Sequence, residues 1–274
     1  MLNLDRPKVL GVLNITPDSF SDAGSFLCPK DAITRAEQMI SEGVDVIDLG
    51  AESTKPGAKP VTVSEQISRL TPVLSQLSTL SDTPVSIDTS EPEVFQAAFD
   101  LGATIWNDTR ALNLPGAAKL AAKLKVTCIV MHRRGEDHAE ARYLSYQNVT
   151  GEVIGELKNQ LLWLESEGVD RSRVIVDPGF GFSKDAISNF QLLSQLEDLG
   201  QLECPILVGV SKKRMLGFAL TNADLPDNLD DRVEVGLSCA VIAVAKGAKL
   251  IRTHDVAATK RALSVFELQG VSFT

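Results

Sequence analysis

Apolar residues in this chain gather into short runs, and most runs break abruptly at a polar residue able to do chemistry. The run 9–13 ends at Asn14. The run 44–50 opens into Glu52-Ser53-Thr54-Lys55-Pro56-Gly57. The run 85–87 ends at Asp88, 103–106 at Asn107-Asp108, 126–130 at Met131-His132, and 174–176 at Asp177. The run 206–208 leads to Ser211-Lys212-Lys213, and 249–251 to Arg252-Thr253-His254. Short apolar runs bounded by turn formers read as buried parallel strands. Between them the apolar spacing becomes helical. Helices are predicted at 30–42, 64–77, 93–101, 115–124, 149–167, 186–199, 232–246 and 255–268, with a glycine after several of them to end the helix. Pro72 lies inside the second and predicts a kink there.

Strands that alternate with helices pair in parallel through right-handed crossovers. Eight repeats favour a closed barrel over an open doubly wound sheet, and no G-x-G-x-x-G follows the first strand to support dinucleotide binding. In such a barrel all eight strand ends meet on one face, where the active site is built. No Pro/Gly/Ser-rich linker divides the chain, so residues 1–274 read as one α/β domain. The first loop, 14–24, is long for a βα connection and rich in oxygen donors, and the second, 51–58, combines hydroxyls, a cation, a Pro and a Gly. On the active face they are expected to cover a substrate and exclude water.

Composition refines this only at the margins. The net charge of −9 argues against a general nucleic-acid or anionic-membrane surface, while leaving room for an anionic substrate at a local cluster of cations. The four cysteines, Cys28, Cys128, Cys204 and Cys239, fit no metal-ligand spacing and read as free thiols, three of them in or beside apolar runs. That suits a reducing cytoplasm. The first residues lack an apolar signal segment, and the longest apolar run, 235–245, is too short to span a bilayer. A cytoplasmic protein with no membrane or nucleic-acid partner is therefore expected. His132, His138 and His254 form no ligand spacing, so a zinc site is not expected.

Several segments, taken together and in order, are specific. Leu13-Asn14-Ile15-Thr16-Pro17-Asp18-Ser19-Phe20-Ser21-Asp22 and Glu52-Ser53-Thr54-Lys55-Pro56-Gly57-Ala58 resemble the two signature motifs of the dihydropteroate synthase family. Ser86-Ile87-Asp88-Thr89, Asn107-Asp108, Met131-His132, Asp177-Pro178-Gly179-Phe180-Gly181-Phe182, Ser211-Lys212-Lys213 and Ile251-Arg252-Thr253-His254 resemble its other conserved stretches. The resemblance implies a TIM (β/α)8 barrel. It also implies condensation of 6-hydroxymethyl-7,8-dihydropterin diphosphate with p-aminobenzoate to 7,8-dihydropteroate and pyrophosphate, with Mg2+, in the folate pathway. A homodimer and sensitivity to sulfonamides are implied with it.

Carried over position by position, the resemblance gives pterin binding to Asp88, Asn107, Met131, Asp177, Phe182 and Lys213, with Asp88, Asp177 and Lys213 as the catalytic set. The diphosphate falls to Asn14, Arg252 and His254, and Asn14 is also the Mg2+ ligand. The p-aminobenzoate site and its loops comprise Phe20, Asp22, Thr54, Lys55, Pro56 and Ser211. The chemistry agrees with these residue types. A pterin edge offers an amino group, ring N–H groups and a carbonyl, which carboxylates, an amide and an ammonium complement. Arg252 and His254 flank one Thr, so both side chains fall on the same face of the strand end as an anion site.

The chain also departs from the family pattern. Lys55 and Lys212 stand where arginines are usual, Thr109 where an apolar residue lines the pterin pocket, and Ala51 where a glycine is usual. A Lys keeps the charge and loses the bidentate fork. Two other functions share part of the pattern: a pterin-binding methyltransferase barrel, and a paralogue that binds pterin without turnover.

Overall fold

The structure is a computed structural model that describes residues 2–15, 29–52, 60–135 and 145–268. Eight parallel strands close into a barrel in chain order: β1 Lys8–Asn14, β2 Val46–Gly50, β3 Val85–Asp88, β4 Ile105–Asp108, β5 Thr127–Met131, β6 Val174–Asp177, β7 Ile206–Val208 and β8 Ala248–Thr253. Each expected run forms a strand. The helices are α1 Pro29–Ser41, α2 Val63–Leu80, α3 Pro92–Asp100, α4 Ala117–Leu124, α5 Val149–Ser166, α6 Ala186–Ser194, α7 Arg214–Asn222, α8 Leu229–Ala245 and α9 Val256–Leu263. Among the described residues no helix is long and apolar enough to cross a membrane.

Side chains alternate along a strand, so each strand supplies two cores. Leu10, Val46, Ile105, Ile129, Ile175, Leu207 and Leu250 form one buried cluster, which is the barrel interior, and Leu2 and Leu4 pack against it. The other parity, including Val9, Leu13, Ile47, Leu49, Ile87, Trp106 and Val176, belongs to a second cluster shared with the helices. This two-sided burial is why the strands read as continuous apolar runs instead of alternating ones. Gly11 marks a close approach of the helical shell. A Cβ there would lie 2.9 Å from Val256 Cγ2 and 3.2 Å from Met39 Sδ.

Helix α2 runs through Pro72, which is exposed. Two other helical expectations need correction. The helix expected over 186–199 stops at Ser194 and continues as a 3-10 helix, Leu196–Leu202, in which Leu196, Leu199 and Leu202 are buried. That three-residue spacing fits the tighter helix. Helix α7 was not foreseen, because Gly217 interrupts a short segment of weak periodicity. A Cβ on Gly217 would fall 2.3 Å from Oδ2 of the exposed Asp227, so the Asp227 side chain closes over the glycine.

Candidate active site

The strand parity that buries the interior cluster also aims the candidate side chains. Asp48, Asn107, Met131, Asp177 and Arg252 each stand two residues beyond an interior aliphatic, namely Val46, Ile105, Ile129, Ile175 and Leu250. Asn14 stands four beyond Leu10, and Asp88 two beyond the buried Ser86. These positions form the topmost inward layer at the carboxyl ends of the strands.

Arg252 ties one side of this floor together. Its Nε donates to Asp48 Oδ2 at 2.7 Å and its Nη2 to Asp88 Oδ2 at 2.7 Å. Asn107 Nδ2 donates to the same Asp48 oxygen at 3.1 Å. Gly50 forms a notch beside this group, since a Cβ on it would lie 3.2 Å from Asn14 Oδ1 and 3.7 Å from Asp88 Cβ. On the other side, Asp177 Oδ1 accepts the Gly179 N–H at 2.7 Å. Lys213 Nζ donates to the Phe180 carbonyl and lies 4.8 Å from the centre of the Phe182 ring. At the rim, His254 Nδ1 is 3.0 Å from Ser211 Oγ, and the same hydroxyl accepts the His254 N–H at 3.3 Å. Ser211, expected beside p-aminobenzoate, is thereby joined to His254.

Three carboxylates and two cations in a water-poor floor perturb one another. Burial pushes Asp88 up to about 7, against the pull of Arg252 and with the repulsion of Asp48, Asp108 and Glu52. Burial also raises Asp177, while Lys213 and the Gly179 N–H oppose it. Lys213 is brought down to about 8 by burial, although Asp177 and Asp88 favour its charge. Burial works against the charge on Arg252, and Asp48 and Asp88 outweigh it. The layer therefore holds hydrogen-bond acceptors of adjustable charge beside one fixed cation, Arg252, and one adjustable one, Lys213. Such a surface fits a flat heterocycle with N–H donors that carries an anionic group.

Neither Asp88 nor Asp177 caps a helix, since α3 begins after Glu91 and α6 is capped by Asp185. Asp108 has the opposite parity and serves its own loop, accepting from Ser90 Oγ and from the N–H groups of Arg110 and Leu112. Met131 lies buried at the end of β5. Phe20, Asp22, Thr54, Lys55 and Pro56, with Cys28 and His138, lie outside the described residues. Cys128, Cys204 and Cys239 are buried free thiols.

Sequence reading passed over one member of the floor, Asp48. Its signal was present: a carboxylate on the inward face of the apolar strand Val46–Gly50, fully buried. An ion in that position demands a partner, and Arg252 supplies it.

Comparison with known proteins follows the same lines. Residues 10–254 match the pterin binding enzyme family. Dihydropteroate synthase of Escherichia coli K12 is 39% identical over 266 residues, covering 97% of this chain and 93% of that protein. A structure of Xanthomonas albilineans dihydropteroate synthase with 4-aminobenzoic acid superposes with a TM-score of 0.87 at 40% identity, covering 97% of this chain and 94% of the other. A structure from the same organism in complex with 7,8-dihydropteroate gives a TM-score of 0.83 at 36% identity, covering 98% and 96%. The chain belongs to the dihydropteroate synthase family.

Proposed function

We propose that the chain condenses 6-hydroxymethyl-7,8-dihydropterin diphosphate with p-aminobenzoate, releasing 7,8-dihydropteroate and pyrophosphate in folate biosynthesis. The observation that carries this reading is the joining of two chemistries in one barrel mouth. A carboxylate and amide floor of Asp88, Asn107 and Asp177 adjoins a cationic edge of Arg252, with His254 and Ser211 at the rim.

In this reading Asp88, Asn107 and Asp177 take the pterin amino and ring N–H groups, and Lys213 faces the pterin carbonyl. Met131 and Phe182 line the ring. The methylene C–O bond breaks, and its electron pair leaves with pyrophosphate. Positive charge then develops on the pterin methylene, where the buried carboxylates stabilise it. The arylamine nitrogen, already a free nucleophile at neutral pH, forms the new C–N bond and then loses a proton. No strong general base is required.

A magnesium ion fits the donor set. Mg2+ favours hard oxygen ligands, keeps several waters, and is bound through one or two protein groups plus substrate phosphates. Asn14 Oδ1 faces the Gly50 notch beside Asp88 and would supply such an oxygen. When bound, the metal neutralises charge on the departing diphosphate. Arg252 and His254 would hold the same diphosphate by charge-assisted hydrogen bonds.

The p-aminobenzoate half of the site rests on the sequence of the first two loops: Phe20, Asp22, Thr54, Lys55 and Pro56. Lys55→Ala should raise KM for p-aminobenzoate more than KM for the pterin diphosphate, and Lys55→Arg should remain active. Steady-state kinetics on the two variants check this. An unchanged KM for p-aminobenzoate in Lys55→Ala would remove the second loop from that site.

The perturbed groups predict a pH profile. Asp88 must be ionised to accept pterin N–H groups, so binding weakens as the pH falls through about 7. Lys213 must be protonated to donate, so binding weakens again as the pH rises through about 8. The profile of kcat/KM, which reports the free enzyme, should be a narrow bell with limbs near those values. A flat profile across neutrality would contradict the assignment of both residues.

A homodimer in the cytoplasm completes the reading. Phe218 of α7, Leu225 after it, and Leu229 and Ile242 of α8 are large, exposed apolar side chains on neighbouring elements. They suit a second copy of the chain. Sedimentation should find twice the monomer mass.

Pyrophosphate release from the pterin diphosphate, measured with and without p-aminobenzoate, tests the function. Release that requires p-aminobenzoate and matches dihydropteroate formed is expected. Pterin binding with no release would point to a paralogue without turnover. Methyl transfer from a folate to a corrinoid would point to the methyltransferase alternative.

A further inference from the structure

The loop between β6 and α6 has left-handed backbone at three alternate positions, Gly179 (φ 71°), Gly181 (φ 76°) and Ser183 (φ 53°). Gly179 admits no side chain, since a Cβ would fall 2.0 Å from the His132 carbonyl oxygen. The turns present the loop carbonyls to two lysines, the half-buried Lys213 and the buried Lys184. Lys213 takes the Phe180 carbonyl. Lys184 Nζ donates to the carbonyls of Gly179 at 3.1 Å and Phe182 at 3.1 Å, and lies 2.9 Å from His132 Nδ1. An ammonium has three N–H groups, and three acceptors surround this one.

The chain of contacts runs on toward the surface. With Nδ1 accepting from Lys184, the His132 ring carries its proton on Nε2, which is 3.0 Å from Glu156 Oε2 on α5. Arg134 pairs with Glu152 and Glu156, and Ser183 Oγ bridges the Arg134 N–H at 2.8 Å and its carbonyl at 2.5 Å. The loop is thereby fastened to the segment that follows β5. Burial brings Lys184 down to about 7, with Asp177 opposing and Lys213 adding to the effect. The attraction of Asp177 and the three acceptors are what keep a charged amine in this place.

We propose that Lys184, oriented by His132 and Glu156, is a positioning residue for the pterin site. The contacts define the route. Lys184 holds the Gly179 carbonyl, and the N–H of that same residue holds Asp177 Oδ1. Lys184 also holds the Phe182 carbonyl, and Phe182 lies under the Lys213 ammonium. Without the Lys184 ammonium, two buried carbonyls and an imidazole nitrogen lose their donor. The loop then shifts with Asp177, Phe182 and Lys213 attached to it. This rests on the pterin reading above, since it names what sets that site.

The test compares Lys184→Met and Glu156→Gln with the wild type, using 6-hydroxymethyl-7,8-dihydropterin and pyrophosphate as separate calorimetric probes. Misplacing reactive groups by about 1 Å costs on the order of 100-fold. Lys184→Met should therefore lower kcat/KM for the pterin diphosphate by at least about tenfold, and weaken pterin binding in the same direction. Pyrophosphate binding should change by less than about twofold, because Arg252, near the end of β8, is held by Asp48 and Asp88, and His254, just beyond β8, by Ser211. Glu156→Gln, at the outer end, should fold normally and weaken pterin binding in the same direction. It should also shift the 15N signal of the His132 Nε2–H. If Lys184→Met does not fold, Glu156→Gln decides. Pterin affinity indifferent to the variants that fold, with only the melting temperature lowered, would overturn the positioning role. Failure of the wild-type chain to bind pterin would overturn the functional reading and this role with it.

Discussion

Asp177→Asn should lower kcat/KM for the pterin diphosphate by about three orders of magnitude, judged from the loss of a single preorganised electrostatic group in other enzymes. The carboxylate sits at the end of β6 with one oxygen already committed to the Gly179 N–H. Its second oxygen is the one left for a pterin N–H. An Asn in the same place has one acceptor and one donor group. If its oxygen keeps Gly179, its NH2 faces the pterin donors; if it turns, Gly179 is abandoned. Either arrangement leaves a buried polar group unmatched, at about 1–3 kcal/mol. The negative charge that would stabilise the developing cation is lost as well. The fold should not suffer, because burial already disfavours that charge. A second readout belongs to Lys213, which Asp177 helps to keep protonated. In the mutant, the Lys213 limb of pterin binding should move to lower pH. Normal melting with near-normal kcat/KM would remove Asp177 from the pterin site.

Arg252→Ala should do two kinds of damage at once. The guanidinium is the candidate ligand for the diphosphate, and a hydrogen bond to a charged group is worth about 1.5–3 kcal/mol. Pyrophosphate affinity should therefore fall by about tenfold or more. The same guanidinium is the counter-ion for Asp48 and Asp88, at 2.7 Å from each. Removing one partner of a buried pair costs about 3–5 kcal/mol. For a domain of this size that lowers the melting temperature by roughly 10 °C. His254→Ala should separate the two effects. His254 sits at the rim on Ser211 and takes no part in the Asp48 and Asp88 pairs, so it should weaken pyrophosphate with little change in melting. Titration calorimetry and thermal melts on both variants check this. Unchanged pyrophosphate affinity in both would sink the anion site, and unchanged melting of Arg252→Ala would contradict the ion-paired floor.

The architecture was legible in the sequence because it depends on short, continuous apolar runs separated by segments of helical period. A strand buried on both faces is mostly apolar, and in most of the strands here a polar residue marks the end. All eight strands could be located that way, and with them Asp88, Asn107, Asp177 and Arg252. Helix α7 escaped because it is short and carries Gly217, a poor helix former, in its middle. The early end of α6 escaped because a three-residue spacing resembles the helical one over a single turn.

Within the site, what stayed hidden was pairing across the fold. Asp48 and Arg252 are separated by 204 residues, and Lys184 and His132 by 52. A buried carboxylate in an apolar strand signals that a counter-ion exists and does not say which residue it is. Arg252 could be read as an anion ligand from its place after β8. Its attachment to two carboxylates required the barrel to be closed.

The most direct measurement is a crystal structure of the chain with the pterin diphosphate and Mg2+. The account predicts the pterin edge within hydrogen-bonding distance of Asp88, Asn107 and Asp177, with Lys213 on the carbonyl side. The diphosphate should lie against Arg252 and His254, with Asn14 on the metal. A pterin bound elsewhere, or a diphosphate lying away from Arg252 and His254 with the Arg252 pairs to Asp48 and Asp88 undisturbed, would contradict it.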